Sequence, residues 1–264
     1  MKIWGQIIVK NEDRYIWFAV KSVIDYLDKI LIWDTGSTDN TIEIIKYLEK
    51  GNPGKIEFRK IGEVDADGLT KFRQRMLDET KSDWLLVVDG DEIWWERSIQ
   101  EVLEIINKHG EKLDAIVTPV INVIGDIYHY QEEAAGQYQI LGKKGHFNLR
   151  AINRKIPGLH IKNHYPLEGF YDKNERLLQD NDSKLILVDA PLLHFTHLSR
   201  STFRKSTKIK YELGIPFPKN FKYPEVLYLE KPSIVQSPWG KMSSRYKLRA
   251  VIETPLKKLK RRIF

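Results

Sequence analysis

Over residues 1–90 the chain repeats one unit, a short apolar run followed by a segment with helical spacing. Residues 2–9 form the first run, rich in Ile and Val. Residues 12–27 follow, with Ile16, Ala19, Val20, Val23, Ile24 and Leu27 on one face of a helix. Residues 29–33 give a second strand ending at Asp34. Ile42, Ile44, Ile45 and Leu48 then place a helix that stops at Gly51. Residues 56–61 read as a third strand, 69–80 as a helix, and 84–88 as a fourth strand ending at Asp89. This rhythm predicts an α/β fold, a mostly parallel sheet with helices on both faces. Such sheets bind ligands beyond the carboxyl ends of their strands, where Asp34 and Asp89 fall.

After residue 107 the rhythm loosens. Residues 113–123, 146–153 and 184–188 read as strands. Residues 125–145 mix Gly, Glu, Gln and Tyr and read as one long loop, the kind that often forms a functional lid. Residues 192–197 continue an apolar strand into a polar end. A length of 264 residues suits one large domain with a sizeable core.

Composition excludes several chemistries. The chain has no cysteine, which removes disulfides, thiol nucleophiles and Cys-ligated zinc, and favours a reducing compartment. The first residues run straight into a strand pattern and no apolar run is long enough to span a bilayer, so a cytoplasmic protein is expected. The net charge of +7 is a local feature. Residues 241–264 carry nine Lys or Arg and one acid, Glu253, while the remaining residues carry 34 basic and 35 acidic groups. The body is near neutral, which argues against a nucleic-acid surface on it.

The residues that carry chemistry begin with Val87-Val88-Asp89-Gly90-Asp91-Glu92. Two carboxylates one residue apart, just past a buried strand, face one point where the chain turns. Hard oxygen ligands of this kind suit Mg²⁺ or Mn²⁺, which in turn bridges phosphate oxygens. The alternative is an acidic turn capping the next helix. The second element is Trp33-Asp34-Thr35-Gly36-Ser37-Thr38-Asp39-Asn40-Thr41. Asp34 can accept hydrogen bonds from a base or ribose, or the whole loop can simply cap a helix with Ser37 or Asp39.

Taken together with Val9-Lys10-Asn11-Glu12 and Phe72-Arg73-Gln74-Arg75, these elements occur in the order and spacing of family 2 glycosyltransferases, which the chain resembles over roughly its first hundred residues. The resemblance is to the branch with K-N-E, D-T-G-S-T-D, A-R-N and D-A-D-E signatures. Gly90 stands where Ala is usual, and Phe72-Arg73-Gln74 stands where Ala-Arg-Asn is usual. It implies a GT-A-like (Rossmann-like) fold in which residues 1–107 bind a nucleotide sugar, residues 108–240 form a loop-rich acceptor half, and residues 241–264 are a basic amphipathic tail. It further implies that Asn11 and Glu12 lie near the nucleotide, that Asp34 contacts its base, and that Arg73 sits by the donor diphosphate. Asp89 would reach ribose or metal, and Asp91 would be the principal ligand of Mn²⁺ or Mg²⁺. In related enzymes a late His in an H-Y/F context completes the metal site, which points to His194 in Leu192-Leu193-His194-Phe195-Thr196-His197. For His197 the solvent-facing reading leads.

An inverting transfer needs a carboxylate to take the acceptor proton. Glu168, in His164-Tyr165-Pro166-Leu167-Glu168-Gly169, lies where related enzymes carry an H-E element with different spacing. Asp126, Glu132 and Glu133 are rivals. In the tail, Thr254-Pro255 reads as N-cap and first helical position, followed by an apolar face of Leu256, Leu259, Ile263 and Phe264 among five cations. A helix of that kind suits an anionic membrane surface, and the alternative is a helix packed on the domain.

The reading is a metal-dependent glycosyltransferase acting by inversion. It uses a nucleotide-diphosphate sugar (UDP-sugar ahead of GDP-sugar) and a glycan or lipid-linked acceptor, with no nucleic-acid partner. The chain sits in the cytoplasm or on the cytoplasmic face of a membrane. One rival is a sugar nucleotidyltransferase, which wants a Gly-rich basic loop that Val9-Lys10-Asn11-Glu12-Asp13 does not supply. The other is a non-enzymatic membrane or polyanion binder that works through the tail.

Overall fold

The computed structural model describes residues 1–164, 167–198 and 210–263. The first half follows the expected rhythm: β1 (Ile3–Val9), α1 (Ile16–Lys21), β2 (Lys29–Asp34), α2 (Thr41–Gly51), β3 (Ile56–Lys60), α3 (Ala66–Glu79), β4 (Trp84–Val87), β5 (Glu92–Trp94) and α4 (Glu96–His109). The second half holds β6 (Ala115–Ile124), β7 (His129–Tyr130), β8 (Tyr138–Ile140), β9 (Lys143–Gly145), β10 (Phe147–Asn153), β11 (His160–Lys162), β12 (Gly169–Tyr171), β13 (Leu185–Leu187), β14 (Leu192–His197), β15 (Ile215–Pro216) and α5 (Ser244–Ile263).

One sheet runs through the molecule in the order β15-β7-β6-β10-β4-β1-β2-β3, with β13 and β14 also pairing with β6, and β5 pairing with β14. The β3-β2-β1-β4 part is parallel, as predicted. β10 then runs antiparallel to both β4 and β6. The chain steps β1 to β2 to β3 in one direction and returns to place β4 on the other side of β1. The carboxyl ends of β1 and β4 therefore flank the point where strand order reverses, the natural ligand crevice of such a sheet.

Alternation along each strand divides the core. Ile30, Ile32, Leu86 and Val88 pack toward the helical layer of Ile16, Val20, Ile44, Leu48, Val102 and Ile106. Leu31 and Trp33 meet Met76 on the opposite face, while Leu85 and Val87 meet Leu77. Each fully buried aliphatic side chain contributes roughly 1.5–3 kcal/mol, so a one-residue slip of β2 would exchange both sets and is strongly disfavoured.

Three expectations are corrected. The helix read over residues 12–27 is only the six-residue α1 plus a 3₁₀ turn at Ile24–Tyr26. Asn11 is left-handed (φ 56°) and residues 12–15 form a turn closed on the Glu12 carbonyl, which delays the start. At the other end the Ser22 hydroxyl donates to the Ala19 carbonyl and accepts the Trp94 N–H of β5, so the helix gives way to a sheet contact. Residues 125–145, read as one loop, contain β7 and the β8–β9 hairpin. Its two-residue turn is Leu141-Gly142, at φ 54° and 70°, a backbone the Asn-Gly signal usually announces and a Leu conceals.

The tail helix does not start at Thr254-Pro255. It begins at Ser244 and carries Pro255 in its interior. Thr254 Oγ1 donates to the Ala250 carbonyl and accepts the Leu213 N–H, so it anchors the helix to the domain instead of capping it. Pro255 is exposed, which lets water reach the carbonyl it leaves unbonded. Phe264, the end of the expected apolar face, lies outside the described residues.

Candidate active site

Three loops meet at the carboxyl edge of β1, β2 and β4. Asn11 uses its left-handed backbone to turn off β1. Its N–H donates to Ser37 Oγ at 2.8 Å and its Oδ1 accepts the Thr38 N–H at 2.8 Å. Glu12 is buried, and its N–H donates to Thr41 Oγ1 at 2.8 Å. The β1 and β2 loops are thus stitched by backbone-to-side-chain bonds. Asp34 is 1% exposed, and its Oδ1 accepts the Gly36 and Ser37 N–H groups at 3.0 Å each. Gly36, at φ 90°, permits that return of the chain. Asp34 therefore shapes its own loop in this structure. Asn40 is the N-cap of α2 without a side-chain bond, while Asp39 accepts the Thr41 N–H at 3.0 Å.

The β4 loop packs directly on this pair. A methyl at Gly90 would stand 3.1 Å from Val9 Cγ2 and 3.2 Å from Glu12 Cγ, so glycine lets the acidic turn lie close against β1. Within that turn the Asp89 N–H donates to Glu92 Oε2 at 3.2 Å. β14 completes the arrangement by pairing antiparallel to β5, with His194 opposite Glu92 and the Phe195 N–H donating to the Asp91 carbonyl at 3.0 Å. His194 Nε2 lies 3.3 Å from Asp91 Oδ1, and its Nδ1 lies 3.9 Å from Glu92 Oε1. One ligand atom each from Asp89, Glu92 and His194 falls within a 4.8 Å cluster. The sequence had named Asp89, Asp91 and His194. Among the described residues the convergent set contains Glu92, with buried Asp91 against the far nitrogen of the same imidazole.

Arg150 of β10 was not anticipated. Its guanidinium lies 3.3 Å from Asp89 Oδ2 and pairs with Glu92, with only 6% of the side chain exposed. A lone Arg within the apolar strand Phe-Asn-Leu-Arg-Ala-Ile-Asn was the available signal, because a buried cation requires a buried anion nearby. Arg73, on α3, ion-pairs with Glu168 at 3.0 Å, so two residues assigned to different halves of the chain meet.

These neighbours set the charge states. Burial alone would raise the Asp89 carboxyl, but Arg150, Arg73 and His194 hold it below its ordinary value. Glu92 is dominated by burial, which outweighs Arg150 and pushes it up to about 7. Burial would lower the His194 imidazole, yet the Asp91, Glu92 and Asp89 carboxylates raise it to about 8. His197 is different. Burial and then Lys210, whose Nζ is 3.3 Å from its Nε2, push it down to about 3, so it is a neutral neighbour of the site.

The rival carboxylates have structural partners. Asp126 accepts the Tyr128 N–H at 3.0 Å, bonds His129 Nδ1 at 2.5 Å and accepts the Met242 N–H at 2.9 Å. Glu132 pairs with Arg261 at 2.8 Å, and Glu133 is exposed in a 3₁₀ turn.

The profile of Glycosyl transferase family 2 matches residues 6–165, more than half of the chain. The chain belongs to glycosyltransferase family 2. It is 23% identical over 198 residues to the SPbeta prophage-derived glycosyltransferase SunS of Bacillus subtilis (strain 168), covering 71% of this chain and 44% of that protein. It thus spans less than half the length of that relative. Among solved structures, S. aureus TarS 1–349 in complex with UDP-GlcNAc superposes with a TM-score of 0.52 at 15% identity, covering 80% of this chain and 63% of that one. The GT-A fold expected of the family is the fold observed, a large sheet with helices on both faces.

Proposed function

We propose that this chain transfers a sugar from a nucleotide-diphosphate donor, with UDP-sugar ahead of GDP-sugar, to a hydroxyl of a glycan or lipid-linked acceptor, with inversion and with Mn²⁺ or Mg²⁺. The observation that carries the proposal is the convergence of Asp89, Glu92 and His194 at the strand-order switch, beside Arg73 and the Asn11–Asp34 loops. Two carboxylates and an imidazole suit Mn²⁺, and two carboxylates suit Mg²⁺, so the residues present fit the ion. A bound ion would supply Lewis-acid stabilisation of the departing diphosphate.

The chain's own residues supply the rest. The Asn11–Thr38 and Asp34–Ser37 bonds hold the β1 and β2 loops as a preformed wall for the nucleotide. Arg150 offsets the mutual repulsion of Asp89 and Glu92, which keeps Asp89 ionised as a ligand. Arg73 stands between Glu168, its ion-pair partner, and Asp89, on whose charge it acts. In this reading the Arg73 cation offsets the donor charge, and Glu168 takes the acceptor proton. The glycosyltransferase name of SunS and the UDP-GlcNAc in the TarS structure support the donor class.

The test is a thermal-shift panel of UDP, GDP, CDP and dTDP sugars with and without Mn²⁺. A donor at a hundred times its Kd stabilises the fold by about 2.7 kcal/mol. Asp89→Asn, which loses one carboxylate of the convergent set, is expected to remove the Mn²⁺-dependent part of that shift. An unchanged Mn²⁺-dependent shift in the variant would refute the metal assignment, and no shift with any donor would refute the transfer reading.

A further inference from the structure

The sequence placed a short apolar face at the end of the chain; the structure gives a helix nearly twice as long with two opposed faces. The inner face of α5 is fastened to the domain. Ala250 and Thr254 are buried, Tyr246 OH donates to the Lys210 carbonyl at 2.6 Å, and Arg261 grips Glu212 through two bonds of 2.7 and 2.8 Å. The outer face carries Leu248, Val251, Ile252, Leu256 and Leu259, exposed by 68, 50, 64, 66 and 57%. At 3.6 residues per turn these five lie within an arc of roughly 140°, centred opposite the docked face. Aliphatic side chains exposed to this degree and aligned along about 17 Å of helix form a continuous stripe.

Charge decides what the stripe fits. Exposed cations border it on both sides, Lys247 and Arg262 along one edge and Arg249 and Lys260 along the other. The one acid of the helix, Glu253, is turned toward the inner half, paired with Lys257 at 3.0 Å and with Arg249 at 3.6 Å. That leaves Lys247, Lys260 and Arg262 as the cations along the stripe that it does not pair. A second copy of this face would set cation against cation. A bilayer interface accepts the aliphatic stripe among the acyl chains while the flanking cations reach lipid phosphates. Among the described residues no helix is long and apolar enough to cross a membrane, so α5 suits a helix lying in the interface plane.

We propose that the outer face of α5 docks the protein on an anionic lipid bilayer through the Leu248–Leu259 stripe and its flanking cations. The domain then hangs from the membrane by the Arg261–Glu212 and Thr254–Leu213 contacts, with α5 as a rigid foot. The proposal is independent of the transfer chemistry, because none of the stripe residues belongs to the active site.

Co-sedimentation of the full chain with phosphatidylcholine vesicles, with and without phosphatidylglycerol, tests it. Binding is expected only to the anionic vesicles and is expected to weaken as salt rises. Replacing Leu248, Ile252 and Leu259 by Ser should lower partitioning by at least about tenfold. Replacing Lys247, Lys260 and Arg262 by Gln should lower it by about a hundredfold, at roughly fivefold per cation. Both variants keep the inner face and should melt as the parent does, with the same shift by donor. The proposal is overturned if the parent protein ignores anionic vesicles at low salt, or if either well-folded triple variant binds as the parent does. It is equally overturned if the stripe variant abolishes a self-association seen by ultracentrifugation in a parent protein that binds no vesicles.

Discussion

Removing the Arg150 guanidinium tests the charge balance of the active site. In the variant Arg150→Met, Glu92 keeps its burial but loses the cation that approaches it most closely, with His194 remaining 3.9 Å away. In the parent protein Glu92 holds a proton until about pH 7, while in the unfolded chain it gives it up near the ordinary 4.5. Without Arg150 the burial is opposed by the weaker pull of His194 and the Asp89 N–H, and the folded variant is expected to hold that proton above pH 7. A folded state that binds more protons than the unfolded one loses stability as pH rises. The parent has finished that loss by about pH 7, whereas the variant continues to lose about 1.4 kcal/mol per pH unit above it.

At pH 6 Glu92 is protonated in both proteins, and the variant lacks only the Asp89 contact and some packing, about 1–2 kcal/mol. The gap should then widen by up to about 2 kcal/mol between pH 7 and pH 8.5. The sum of up to about 3–4 kcal/mol agrees with the usual cost of breaking a buried ion pair. Urea denaturation followed by tryptophan fluorescence, in EDTA at pH 6, 7 and 8.5, measures it. A gap that stays the same at pH 6 and pH 8.5 refutes the argument, because the charge of Glu92 would then not depend on Arg150.

Asp34→Ala should weaken nucleotide binding by roughly 1–3 kcal/mol, since the Gly36 and Ser37 N–H groups lose the acceptor that folds their loop; equal affinity by calorimetry counts against the donor wall. Glu168→Gln should cut the transfer rate by about a hundredfold or more with donor binding nearly unchanged. A fully active Glu168→Gln enzyme ends the assignment of the base, and inactive Asp126→Asn, Glu132→Gln or Glu133→Gln variants that still bind donor would redirect it.

Much of the donor half was legible because its information is local. Short, continuously buried apolar runs in residues 30–33 and 84–88, helical spacing in residues 41–51, and acids at strand ends all follow from short-range geometry. They gave the parallel sheet and put Asn11, Asp34 and Asp89 on one edge. Arg150 escaped because its reason for being charged is 58 residues away in the chain, at Glu92. The start of α5 escaped because Thr254-Pro255 makes a good cap in isolation, and only the Leu213 N–H shows that Thr254 is interior.

The sequence by itself determined the layered α/β plan and the acidic turn after β4, since apolar runs, helical period and strand-end acids need no distant partner. The tertiary structure alone decided which groups share a site. The β14–β5 pairing sets His194 beside Glu92, β10 delivers a cation to two carboxylates, and Arg73 meets Glu168. It also decided which face of α5 is left to solvent, because a helix shows its outer side only after the domain has taken the inner one. Buried charges are stable only when paired, and their partners come from strands adjacent in the sheet but far apart in the chain.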